Sequence, residues 1–144
     1  MSLEQLLNEG LIEAFETTKD LVSQTLASSE KDLKTAVTVL EAGDYDWALT
    51  IAYHSMLQAG RALMFHFGYR PKGEHKHVAV VRFASEKLTT SESSTLVKLL
   101  NKTRKRRHAV LYEVRETVSR SEAERAIEMA KKLISTVKNE ITKR

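Results

Sequence analysis

Apolar residues recur along most of the chain at steps of three and four, the period of an amphipathic helix, and no sustained alternation of period two suggests a strand. A short helix is expected over residues 2–8, with Gly10 as its stop. A long helix is expected over 12–41, its stripe marked by Leu26, Leu33, Ala36, Val37 and Leu40. Gly43 reads as the C-terminal stop of that helix and Asp44 as the N-cap of the next. That next helix carries Ala48, Ile51, Ala52, Ser55, Met56, Ala59, Ala62 and Leu63 on one face, small residues that permit close helix approach, and ends near Gly68. Residues 68–73 read as a loop. A shorter helix follows over 75–87 and a long one over 91–118. Ser121 with Glu124 reads as a capping box for the last helix, whose stripe is Ala123, Ala126, Ile127, Ala130, Ile134, Val137 and Ile141. The predicted fold is all-α: an antiparallel up-and-down bundle of four long helices plus one or two short ones. It forms a single domain over 1–144, with 1–15 as a short N-terminal helix or extension.

One stretch interrupts the pattern. Residues 98–107 hold six bases and no acid. The apolar stripe enters this stretch as Leu96, Leu99 and Leu100 and leaves it as Val110, Leu111 and Val114. Between them, helical steps place Thr103 and either Arg106 or Arg107 toward the core. A cation there must find a partner or reach water. Arg104, His108 and Tyr112 follow at i, i+4 and i+8, a stripe of guanidinium, imidazole and phenol. Arginine suits phosphate, and histidine can move a proton near neutral pH. Tyr53, His54, Gln58 and Arg61 put polar groups beside the small-residue stripe, placed to complete a pocket facing the basic cluster.

Composition narrows the chemistry. The 144 residues include no Cys, which excludes a disulfide scaffold, a thiolate metal site and a Cys nucleophile. Five scattered Gly leave no phosphate loop or dinucleotide fingerprint. Glu74, His75 and His77 are the one candidate metal cluster, but side chains at i and i+2 diverge on a helix, so neither metal nor cofactor is expected. The N-terminal residues lack a basic n-region and no apolar run approaches the length of a membrane span, so a soluble cytoplasmic protein with no membrane partner is expected. The net charge of +4 conceals a split. Residues 1–60 hold ten acids against three bases, and residues 61–144 hold nine acids against twenty bases. Either the basic half meets an anionic partner, or the two halves pair with each other.

The segments 44–48 (Asp-Tyr-Asp-Trp-Ala), 52–56 (Ala-Tyr-His-Ser-Met), 59–63 (Ala-Gly-Arg-Ala-Leu) and Gly68-Tyr69 resemble the central helix of HEPN (higher eukaryotes and prokaryotes nucleotide-binding) domains. His77 and Phe83 match the following helix, Arg104, Arg107, His108 and Tyr112 fall at the family's Arg/His segment, and Ala123, Ala126 and Ala130 fit its last helix. The resemblance covers about residues 30–140. It implies a helical bundle that commonly dimerises, often beside a minimal nucleotidyltransferase in toxin–antitoxin pairs. Catalytic members are metal-independent endoribonucleases whose motif is Arg, four to six residues, then His. Here Arg104 and His108 are separated by three residues, which gives weight to a binding or assembly role.

The sequence therefore points to a HEPN-like homodimer that binds RNA or nucleotide. Arg104 and His108 are the candidate catalytic residues of a ribonuclease toxin, and Lys102, Arg107, Tyr112, Tyr53 and Arg61 the candidate phosphate contacts. The alternatives are a non-catalytic partner of a nucleotidyltransferase and a structural bundle in which Arg106 or Arg107 bonds an acid from residues 1–60.

Overall fold

A computed structural model describes residues 2–143. The element order is α1 (Leu3–Asn8), β1 (Ile12–Ala14), α2 (Lys19–Glu41), α3 (Tyr45–His66), β2 (Tyr69–Pro71), α4 (Lys76–Lys87), α5 (Ser91–Tyr112) and α6 (Arg120–Thr142). Four long helices form the bundle and two short ones flank it, as the periodicity predicts.

Helix α3 is the axis. Its burial runs almost all the way round, from Ala48 and Leu49 through Tyr53 and Met56 to Met64 and Phe65, as expected of a helix enclosed by others. α2, α4, α5 and α6 all pack on it. Small residues set how closely they approach. Gly60 faces Val80 of α4, whose Cγ1 stands where a glycine Cβ would be. Ser29 and Ser55, both fully buried, cross-link α2 and α3 reciprocally, each hydroxyl donating to the other's carbonyl at 2.6 and 2.7 Å. No buried polar atom of that pair is left unmet.

The core divides between two clusters. One joins Leu6, Met56, Leu63, Phe83, Leu100 and Leu133. The other gathers Ala36, Leu49, Val110, Val118 and Ile127 at the opposite end.

Three local expectations are corrected. Residues 12–14 are not helical. Ile12, Glu13 and Ala14 pair antiparallel with Pro71, Arg70 and Tyr69, so residues 68–73 are also more than a loop. Ile12 is buried in the first core cluster, the Glu13 carboxylate accepts from Arg70 at 2.7 Å, and α2 starts later because Thr18 caps it, accepting from the Leu21 N–H. α5 ends at Tyr112 rather than near 118. The Asp46 carboxylate at the start of α3 accepts from the backbone N–H groups of Glu116 and Val118 at 2.6 and 3.3 Å. It thereby holds a turn with Glu116 at φ 61° and tucks Val118 into the second cluster. Finally, Ser119 caps α6 rather than Ser121, accepting from the Glu122 N–H at 3.1 Å.

Candidate functional site

The basic stretch lies wholly on α5, and helix geometry splits it. At about 100° per residue, Lys102 and Arg106 leave one flank of the buried line through Leu100, Thr103 and Val110, while Arg104 and His108 leave the other. Arg107 stays close to the core line.

Toward α6, Arg106 meets a complete set of acceptors. Its Nε and Nη2 donate to Glu122 at 2.6 and 3.1 Å, and Nη2 also reaches the Thr117 carbonyl and hydroxyl at 3.1 and 3.2 Å. Arg106 is thus paired, with an acid of α6 and not with one from residues 1–60. Thr103 solves the same problem locally, its hydroxyl donating to the Leu99 carbonyl at 2.7 Å. Lys102 is on this side too, away from Arg104.

On the other flank a pocket of about 290 Å³ opens between α2, α3, α4 and α5, its wall combining Trp47 and Ile51 with Asp32, Tyr53, His54, His77 and Arg107. Tyr53 is buried, and its hydroxyl lies 2.9 Å from His77 Nδ1. Burial pushes the Tyr53 phenol up to about 12, against the opposing charges of Arg107 and Arg104. Burial also lowers the His77 imidazole below its ordinary 6.5, with Arg107, His54, Arg104 and Arg61 acting in the same direction. Tyr53 therefore keeps its proton and His77 is neutral near pH 7. The direction of the bond between the phenol and Nδ1 follows the imidazole tautomer; with the phenol donating, the imidazole hydrogen is on Nε2.

Three guanidiniums act electrostatically on His77 of this pair. Arg107 sits 5.8 Å above the Tyr53 ring. Arg104 is tethered through Nε to the Asn101 carboxamide oxygen at 3.1 Å. Arg61 lies 5.9 Å from the Phe65 ring. Among the described residues none of the three has an ion-pair partner. The acid of the pocket, Asp32, is taken by His54 Nδ1 at 2.8 Å.

The structure therefore groups Tyr53, Arg104 and Arg107, leaves Arg61 in a neighbouring pocket between α2 and α3 with its charge still felt at His77, and places Lys102 on the other flank of α5. His108 and Tyr112 are exposed at the end of α5, their rings 4.9 Å apart, and among the described residues no buried group orients the imidazole. His54 lines the pocket, as its place beside the small-residue stripe suggested, whereas His77 and Asp32 complete it without having been selected as site residues from the sequence. The signal for His77 was its place in the resemblance, where it matched the helix after the central one, but local spacing alone made it an unremarkable histidine. Among the described residues no group of three His, Asp or Glu is placed to hold a metal ion, and no helix is long and apolar enough to cross a membrane.

Comparison with known proteins adds a family and a fold. The model of the HEPN domain matches residues 22–140. Among solved structures, the chain is similar to an archaeal HEPN homologue, with a TM-score of 0.67 at 20% identity, covering 84% of this chain and 98% of that one. It is similar also to a protein of Thermus thermophilus, with a TM-score of 0.66 at 22% identity, covering 83% and 97%. Identities this low speak for the bundle and not for its chemistry. No curated protein sequence matches the chain.

Proposed function

Because this chain belongs to the HEPN domain family, whose members are commonly nucleotide- or RNA-binding, we propose that it binds RNA or nucleotide phosphate through Arg61, Arg104 and Arg107. The contacts lie beside the Tyr53–His77 pair. One observation carries the reading: three arginines from two helices, none with a carboxylate partner among the described residues, bring their charge to bear on the half-buried, neutral His77 of a Tyr–His pair whose nearby acid is already engaged. A phosphate placed there receives bidentate guanidinium bonds and supplies the missing counter-charge. With the Tyr53 phenol donating to Nδ1, His77 Nε2–H is a further donor for it.

HEPN domains often form dimers, and a second copy facing this flank brings two sets of arginines to one strand. Arg104 and His108 share the flank, which keeps cleavage as the activity to test. Among the described residues the His108 imidazole has a ring contact with Tyr112 but no hydrogen-bond partner, which favours binding over cleavage, since a general base is ordinarily oriented by a second group. Binding without cleavage is also what a non-catalytic partner of a minimal nucleotidyltransferase would show.

The experiment is fluorescence anisotropy with a short single-stranded RNA, alongside incubation of mixed RNA in EDTA. Saturable binding that weakens at least about tenfold in R104A/R107A is expected. Binding left intact in that variant refutes the site. Fragments ending in 2′,3′-cyclic phosphate, lost in H108A, would establish the ribonuclease; intact RNA bound tightly establishes the binding protein.

A further inference from the structure

On the opposite flank of α5 a second cavity of about 380 Å³ opens between α5 and α6. Its origin is in residue size. Thr103 turns its hydroxyl back to its own helix, and Ala126 across from it ends at Cβ, so the two helices fail to close over Leu49 of α3. Leu99 and Met129, both half-buried, wall the gap. The result is an apolar floor with a ready opening, and its size falls in the range of small-molecule sites.

The rim is charged, and unevenly. Arg106 and Glu122 neutralise each other through two hydrogen bonds that fix one end of the cavity. Glu128 is paired with Lys131 at 3.1 Å. Lys102, Arg125 and Lys132 are left over, none with a carboxylate partner among the described residues; Arg125 donates to the Ser121 hydroxyl at 2.8 Å. A neutral apolar guest would leave these three cations without a counter-charge. A bare inorganic ion would leave the floor wet. A molecule with both parts satisfies both.

We infer that the α5–α6 cavity is a second binding site, distinct from the arginine flank, for a small organic anion whose apolar body lies on Leu49, Leu99, Ala126 and Met129 and whose phosphate or carboxylate meets Lys102, Arg125 and Lys132. Two sources share this chemistry, a nucleoside monophosphate and a medium-chain fatty acid. The site does not depend on RNA binding at Arg104 and Arg107.

The test is an NMR titration of the full chain, following backbone amides and the Met129 methyl, with adenosine 5′-monophosphate and, separately, octanoate. Saturable shifts at Leu99, Thr103, Ala126 and Met129 by one probe are expected, and the probe that saturates identifies the source. A126L, which fills the floor, and the exposed K132E, which leaves the core intact, should each raise Kd at least about fivefold. Three results overturn the proposal: no saturation up to millimolar concentration with either probe, shifts confined to Tyr53 and His77, or the same shifts produced by raising protein concentration alone, which would mean that a second copy closes the groove. RNA anisotropy on K132E separates the two sites, since loss of probe binding with RNA affinity unchanged is the expected pattern.

Discussion

His77 is the residue on which the candidate site turns, and its protonation links the site to stability. Folding holds its imidazole below the ordinary 6.5, through burial first and then the charges of Arg107, His54, Arg104 and Arg61. As pH falls, the unfolded chain takes up that proton before the folded protein does. The contribution of neutral His77 is thus complete above about 6.5 and is lost as pH drops from there toward the folded value. The urea midpoint should be lower at about pH 5.5 than at about 7.5, and the difference should shrink in H77Q. An undiminished difference in that variant would assign the effect to other groups. Glu116 is a second residue with a readable cost. It holds φ 61° without being glycine, because Asp46 binds the backbone on its own N–H and that of Val118. E116G should stabilise the protein by about 0.5–1 kcal/mol in urea unfolding, relieving a left-handed conformation that disfavours a Cβ. At this scale the sequence offered candidate side chains but not which of them share a pocket. The i, i+4 stripe of Arg104 and His108 was visible, whereas Tyr53 meeting His77 depends on how α3 and α4 cross.

The elements were legible where one helix face repeats long enough to declare itself. α6 shows this best, with Ala123, Ala126, Ile127, Ala130, Ile134 and Val137 all buried as their spacing required. The β1–β2 pair was not legible, since three residues offer no period and its partner strand is 57 positions away. Nor was the end of α5, where Val114 continues the stripe in sequence but is exposed in the fold, because the helix stops at Tyr112 and Asp46 holds the following turn through Glu116 and Val118. Helix crossing depends on Gly60 in the same way. A methyl group there meets Val80 Cγ1 within a fully packed contact between α3 and α4. G60A should therefore destabilise by about 1–3 kcal/mol despite alanine's better helix propensity, and V80A in the same chain should recover part of the loss. Additive losses in that double-mutant cycle would mean that the two positions do not share the strain.

The charge split along the chain resolves, in the folded molecule, into pairs and a remainder. Acids of the first sixty residues hold Arg70 through Glu13, Arg82 through Glu9, Lys138 through Glu30 and, at 3.9 Å, Arg120 through Glu41. None reaches Arg61, Arg104 or Arg107. Mutual neutralisation therefore accounts for part of the asymmetry, and what it leaves falls on both flanks of α5, with Arg61, Arg104 and Arg107 as the phosphate contacts proposed above. If these three arginines each displace a counterion from single-stranded RNA, log K should fall with log salt at a slope of roughly −2, at about −0.7 per contact. R104A/R107A should reduce the slope to about −0.7. Lys98 and Lys105 are exposed on the same helix and supply the control, because a diffuse basic face would lose as much slope in K98A/K105A as in the arginine pair. Equal losses would reduce α5 to a solvated cationic helix. A loss confined to the arginine variant would localise the phosphate contacts to the pocket built around Tyr53 and His77.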